Sequence, residues 1–191
     1  KVYEQYLGHV LKTKNQKVTL KDAPNHRKEQ GIYYTPTYIV DYIVRNTVGE
    51  LLKVKKVDPT KIRILDMACG SGPFLVKSFN LLDNYLREIQ TTLDAHSYTK
   101  RVKILQNNIF GVDLDQQAVE IAQLNLLLSI TEKRRTLPLL ENNIKCGNSL
   151  IDDPAIAGER AFKWDEQFKE IMKDGGFDAV IGNPPWVQSK F

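Results

Sequence analysis

The sequence predicts an α/β domain built on a parallel sheet, and three observations carry that prediction. Four short apolar runs, "IRILDM", "NIFGVD", "NIKC" and "FDAVIG", read as strands. Helix-patterned stretches separate them, and strands alternating with helices belong to parallel sheets covered on both faces. The runs exit into "DMACGSGP", "GVDLD", "GNSL" and "GNPPW", and in such sheets ligands sit beyond the carboxyl ends of the strands.

Taken in order, residues 1 to 11 suit a short helix. Residues 12 to 30, polar, lysine-rich and broken by Pro24, suit a connector. From Pro36 to Leu52 apolar residues recur at the spacing of one helical face (Ile39, Val40, Ile43, Val44, Val48, Leu51, Leu52), with Thr35 as a cap and Pro36 suited to the first position. The first strand is expected over Ile62 to Met67, then a small-residue turn and a helix from Pro73 to about Gln90. The second strand ends at Asp113, and a helix capped by Asp115 runs to about Ile130. The third strand covers Ile144 to Cys146. An amphipathic stretch, "WDEQFKEIMKDGG", closes on a glycine pair, as helix ends often do, before the fourth strand, Phe177 to Ile181.

Composition narrows the function classes. With 191 residues, 42% of them apolar and 26% charged, the chain has enough material for one well-buried core. No run reaches the ~18 apolar residues of a membrane span, and no secretory signal pattern opens the chain, so a cytoplasmic location is expected. Two distant cysteines make no disulfide framework and three scattered histidines no ligand cluster, so no metal is expected. The net charge of +4 is uneven: residues 1 to 63 hold 13 Lys and Arg against 6 Asp and Glu, and the remainder 14 against 17. A basic segment beside a near-neutral domain suits a polyanion such as nucleic acid, and equally a solvated lysine-rich face.

The strand ends carry the chemistry. Gly70 and Gly72 let the backbone turn tightly and approach a ligand, and a helix opening at Pro73 offers free N–H groups to an anion. A dinucleotide fingerprint fails because its third glycine position is Leu75, and a P-loop fails because no Gly-Lys-Ser/Thr follows. A glycine turn without a ligand is the plain alternative. A carboxylate at Asp113 can accept two hydrogen bonds from ribose hydroxyls. The amide of Asn148 can meet a base edge and Leu150 its face, although a simple turn explains both. At the fourth end, Pro184 and Pro185 stop the strand and hold Asn183 extended. The Asn183 amide, the Pro184 carbonyl and the Trp186 ring then suit an exocyclic amino group on a planar ring: two acceptors for its hydrogens and a wall for the ring.

The ordered set "YYTP", "DMACGSGPFL", "GVDLD", "GNSL" and "GNPPW" over residues 31 to 191 resembles the adenine-N6 DNA methyltransferases of bacterial restriction-modification systems. The likeness is to type I modification subunits or to single chains joining nuclease and methyltransferase. It implies a Rossmann-like class I S-adenosylmethionine-dependent methyltransferase fold, here the N-terminal half of the sheet with its strands in the order 3-2-1-4, preceded by helices. It implies a cofactor site from Tyr34, Thr35 and Pro36, from Asp66, Ala68, Cys69, Gly70, Gly72 and Phe74, from Asp113 and Leu114, and from Asn148, Ser149 and Leu150. Asn183, Pro184, Pro185 and Trp186 are implied to hold a flipped target adenine. Most members carry tyrosine where this chain has Trp186, and tryptophan keeps the stacking face.

The motif set also separates close chemistries. Cytosine-C5 enzymes need a cysteine nucleophile that "NPPW" lacks, and cytosine-N4 enzymes more often open the tetrapeptide with serine. Methyltransferases for RNA or protein glutamine share the Asn-Pro-Pro-aromatic motif and remain the alternative, beside a cofactor-binding module inactive by itself. The resemblance implies double-stranded DNA as a partner, together with specificity or restriction subunits or domains. Residues 1 to 30 are expected as a basic helical or connector segment and 31 to 191 as the methyltransferase core, truncated at its C-terminal end. The fourth strand is then expected to be an open edge that self-associates, with weak cofactor binding and no DNA methylation by the chain alone.

Overall fold

A computed structural model describes residues 9–14, 17–22, 35–54, 57–89 and 97–185. The chain divides into two compact units, Lys1–Pro36 with Pro184–Phe191, and Thr37–Asn183.

In the first unit, β1 (His9–Lys14) and β2 (Lys17–Asp22) pair antiparallel, with Leu11 opposite Leu20 and Thr13 opposite Val18. This corrects the expectation of a short helix running to residue 11 and a connector from residue 12. The segments "HVLKTK" and "KVTLKD" carry β-branched residues, and "KVTLK" alternates lysine or threonine with apolar residues, a period of two that favours extended chain. Lysine content masked that period.

The second unit holds the predicted α/β fold. After α1 (Thr37–Asn46) and α2 (Val48–Leu52) come β3 (Ile64–Asp66), α3 (Pro73–Ile89), α4 (Tyr98–Asn108), β4 (Ile109–Asp113), α5 (Gln116–Ile130) and β5 (Ile144–Cys146). Three short helices follow, α6 (Pro154–Ala157), α7 (Trp164–Gln167) and α8 (Lys169–Lys173), before β6 (Ala179–Ile181). The single helix expected to Leu52 breaks at Thr47, whose hydroxyl donates back to the Ile43 carbonyl at 2.7 Å. Such back-bonding competes with regular helix geometry. The helix α4 was not foreseen, and Ser97 caps it by accepting from the Lys100 N–H.

The four strands of this unit are parallel in the order β5-β4-β3-β6. That is the expected 3-2-1-4 order, and it leaves β5 and β6 at the edges. On one face, Ile64, Ile109, Ile144 and Ile181 pack with Phe74, Leu75, Phe79 and Leu82 of α3 and Leu126 and Ile130 of α5. On the other, Leu65, Phe110 and Val112 meet Phe162, Phe168, Trp164 and Phe177. Neighbouring residues of one strand therefore serve opposite cores, as the period-two geometry requires. Val180, the middle residue of β6, is 57% exposed. Among the described residues no helix is long and apolar enough to cross a membrane.

Buried amides hold the lower ends of the strands. The Asn108 side chain donates to the Ile62 carbonyl at 2.6 Å, and the Asn143 side chain to the carbonyls of Leu105, Gln106 and Ile109 at 3.1, 2.8 and 2.9 Å. Asn143→Ala is expected to cost about 1–3 kcal/mol, because it strands buried acceptors. Urea unfolding would measure the loss, and an unchanged midpoint would count against it.

Candidate active site

All four strands point their carboxyl ends the same way, which brings the predicted turns to one edge of the sheet. The β3–α3 loop is shaped by Gly70 (φ +52°) and Gly72 (φ +81°), conformations that side chains with a Cβ rarely adopt. A Cβ on Gly70 would face open space, whereas one on Gly72 would lie 3.1 Å from the Ala122 Cβ of α5. One glycine thus leaves room above the loop and the other seats the loop on α5. The Asn125 side chain of α5 donates to the Ser71 carbonyl at 2.9 Å and pins it further.

Asp113 closes the β4 end. Its Oδ2 accepts from the Gly70 N–H at 2.7 Å and its Oδ1 from the Asp115 N–H at 3.0 Å. Burial raises its pKa, and hydrogen bonds from the Asp115, Gly70 and Leu114 backbones pull it back. A carboxylate offers about four lone-pair sites, so these backbone bonds fix its orientation without exhausting its capacity to accept. Asp115 caps α5 as expected, accepting from the Gln117 N–H at 3.0 Å, and Leu114 between them is 46% exposed.

Asp66, at the end of β3, is 1% exposed. Its Oδ1 accepts from the Ala68 N–H at 3.1 Å, and its Oδ2 has no hydrogen-bond partner among the described residues. Burial, with a smaller contribution from the Asp113 charge, pushes its pKa up to about 7 against the pull of the Ala68 N–H. A Cβ on Gly182 would collide with Asp66 Oδ1, so only glycine lets the exit of β6 lie against this carboxylate. Sequence reasoning passed over Gly182; its signal was a lone glycine between a strand and "NPPW".

The other expected residues fall into distinct settings. Cys69 and Phe74 are each 2% exposed and belong to the core. Burial, aided by the Asp66 and Asp113 charges, raises the Cys69 thiol pKa. These two side chains pack in the core beneath the loop. Asn148 Oδ1 accepts from the Leu150 N–H at 3.1 Å, closing a side-chain turn. Ser149 is half-buried and Leu150 is 81% exposed. Asn183, half-buried, follows Gly182 directly. In the other unit Thr35 is buried, Pro36 half-buried, and Pro184 and Pro185 exposed. Tyr34 and Trp186 lie outside the described residues.

Residues 107–191 match the family model of the Eco57I restriction-modification methylase. Across 99% of this chain the sequence is 30% identical to the type II restriction enzyme and methyltransferase RM.Eco57I of Escherichia coli. The chain is a homologue of restriction-modification methyltransferases. This homologue spans 21% of the E. coli protein's length. It is also 26% identical, over 86% of its length, to the adenine-specific methyltransferase PglX of Streptomyces coelicolor, of which it spans 15%. In fold, it superposes on a nuclease-deletion form of the type ISP restriction-modification enzyme LlaGI, solved with a DNA substrate mimic. The TM-score is 0.60 at 21% identity, over 82% of this chain and 13% of that one.

Proposed function

We propose that this restriction-modification methyltransferase homologue is the cofactor-binding and target-binding part of a site-specific DNA adenine-N6 methyltransferase using S-adenosylmethionine. The observation that carries the reading is the order of the strand ends along one sheet edge: the Asn148 turn on β5, Asp113 on β4, the glycine loop on β3 and Asn183 after β6. The relatives, a restriction enzyme with methyltransferase and an adenine-specific methyltransferase, support it.

The residues present fit the cofactor. Open space above Gly70 and the orphaned, buried Oδ2 of Asp66 suit a ligand that brings donors and positive charge. Bound there, S-adenosylmethionine supplies a methyl group activated by its sulfonium. Asp113 would hold the ribose hydroxyls, Asn148 and Leu150 the adenine, and Asp66 with the Ala68–Gly72 backbone the methionine end. The resemblance implies a cofactor role for Tyr34, Thr35 and Pro36 as well. Asn183 and the Pro184 carbonyl would accept the two hydrogens of the target amine and keep its nitrogen lone pair aimed at the methyl, with Trp186 as the stacking wall. No strong base is required, because positioning and fixed dipoles carry such a transfer. A base swung from the duplex costs a few kcal/mol, which stacking and hydrogen bonds in the pocket offset. Duplex DNA, a restriction or specificity partner and a cytoplasmic setting belong to the same proposal.

Labelled methyl transfer tests it: N6-methyladenine in digested duplex DNA is the expected product of a complete enzyme carrying this chain. Label in RNA or in protein glutamine instead would defeat it. Asp113→Ala should weaken S-adenosylmethionine binding by about 1.5–3 kcal/mol, the scale of hydrogen bonds to a charged group. Unchanged calorimetric affinity in a folded variant would remove Asp113 from the ribose role.

A further inference from the structure

The turn at 147–150 has little support from the sheet. It leaves β5, which pairs only with β4, and past Cys146 the ladder contributes one more bond, from the Gly147 N–H to the Asp113 carbonyl at 2.9 Å. What braces the turn is a returning segment, 160–164. The Asn148 N–H donates to the Arg160 carbonyl at 2.7 Å and the Phe162 N–H to the Ile151 carbonyl at 2.9 Å, while Asn148 and Ala161 form an isolated parallel bridge. Gly147 lies so close to the Phe162 ring that a Cβ there would strike it. These contacts hold the base of the turn, and at its tip the Leu150 N–H donates to Asn148 Oδ1, which leaves the Ser149 carbonyl to be held from outside the turn.

That contact comes from Trp164. Its indole Nε1–H donates to the Ser149 carbonyl at 3.1 Å. The ring is locked by its neighbours, edge-on to Phe162 at 4.9 Å, stacked on Phe168 at 5.9 Å and edge-on to Phe177 at 6.1 Å. A rigid ring with one directed donor can fix a backbone carbonyl in space, which a flexible polar side chain cannot do at equal entropy cost. We infer that Trp164 is a positioning residue for the adenine end of the cofactor pocket, holding the Asn148–Leu150 turn in register with Asp113. This assignment rests on the cofactor reading proposed above. In this role Trp164 acts through the turn, as outer-shell partners do when they orient contacting groups.

The test compares two ligands and two variants of a complete methyltransferase carrying this chain. S-adenosylhomocysteine and its hypoxanthine counterpart, S-inosylhomocysteine, differ only at the base edge that the turn would read. Trp164→Phe keeps an aromatic ring in the cluster and removes the N–H. Phe168→Leu disturbs the same cluster and leaves the N–H in place. Calorimetric titration is expected to show Trp164→Phe binding S-adenosylhomocysteine about fivefold more weakly, the size of one lost hydrogen bond, with its preference for adenine over hypoxanthine reduced by a similar factor. Phe168→Leu should lower the melting temperature and retain the preference. Unchanged affinity and preference in Trp164→Phe would overturn the inference, as would an equal loss of preference in Phe168→Leu, which would make the role one of packing alone. If the unsubstituted enzyme bound neither ligand, the cofactor reading would fail, and this inference with it.

Discussion

Asn183→Ala, in a complete methyltransferase carrying this chain, is expected to lower the rate of methyl transfer to adenine by at least about a hundredfold, the scale of removing one preorganised polar contact at a reacting group. Cofactor affinity should change by less than about twofold. The split follows from placement. Asn183 stands directly after Gly182 at the exit of β6, whereas the proposed ribose and adenine contacts stand at the ends of β4 and β5. Its amide is assigned to hydrogens of the target amine, so removing it leaves the cofactor's own partners intact. Single-turnover rates with saturating cofactor, beside calorimetric cofactor affinity, would measure both halves. A variant that turned over normally, or that lost cofactor binding in step with rate, would contradict the role.

Asp66→Asn is expected to stabilise the chain increasingly as pH rises. The Asp66 carboxyl has a pKa of about 7 in the folded protein against an ordinary 3.8, chiefly because it is buried. Below pH 3.8 both folded and unfolded chains hold this proton, and the residue costs nothing. As pH rises through 3.8 the unfolded chain releases its proton while the folded one keeps it, so stability falls with pH until about 7 and is level beyond. A gap of about three pH units, at roughly 1.4 kcal/mol each, makes the full loss on the order of 4 kcal/mol. Asparagine does not titrate, so its advantage over the parent chain should grow by about that amount between pH 4 and pH 8. Urea unfolding of both proteins across that range reads the difference directly. A constant difference would mean that Oδ2 finds a donor on ionisation and is not stranded.

How legible these sites were depended on how local each interaction is. The glycine loop, the Asp115 cap and the close of β4 at Asp113 are written in a few neighbouring residues, and the structure places them where the local signals do. The hairpin β1–β2 was misread because lysines obscured its alternation. The break at Thr47 escaped notice because one hydroxyl turning back on Ile43 leaves the helical periodicity unchanged. The tie between Asp66 and Gly182 spans more than a hundred residues and has no local signature. The reach of Trp164 to Ser149 across 15 residues, and of Asn125 to Ser71 across 54, has no local signature either.

The sequence by itself determined the alternation of strands and helices, the order of the motifs and so the chemistry available at each strand end. Period and turn chemistry act over a few residues, and a parallel sheet delivers its ends to one edge whatever else the chain does. Only the tertiary structure decided which of those groups are buried, which oxygen is left without a donor, and which distant ring steadies which turn. Burial and desolvation depend on what the rest of the chain packs against a group, and a carboxylate such as Asp66 owes its raised pKa to that burial, with Gly182 lying against it.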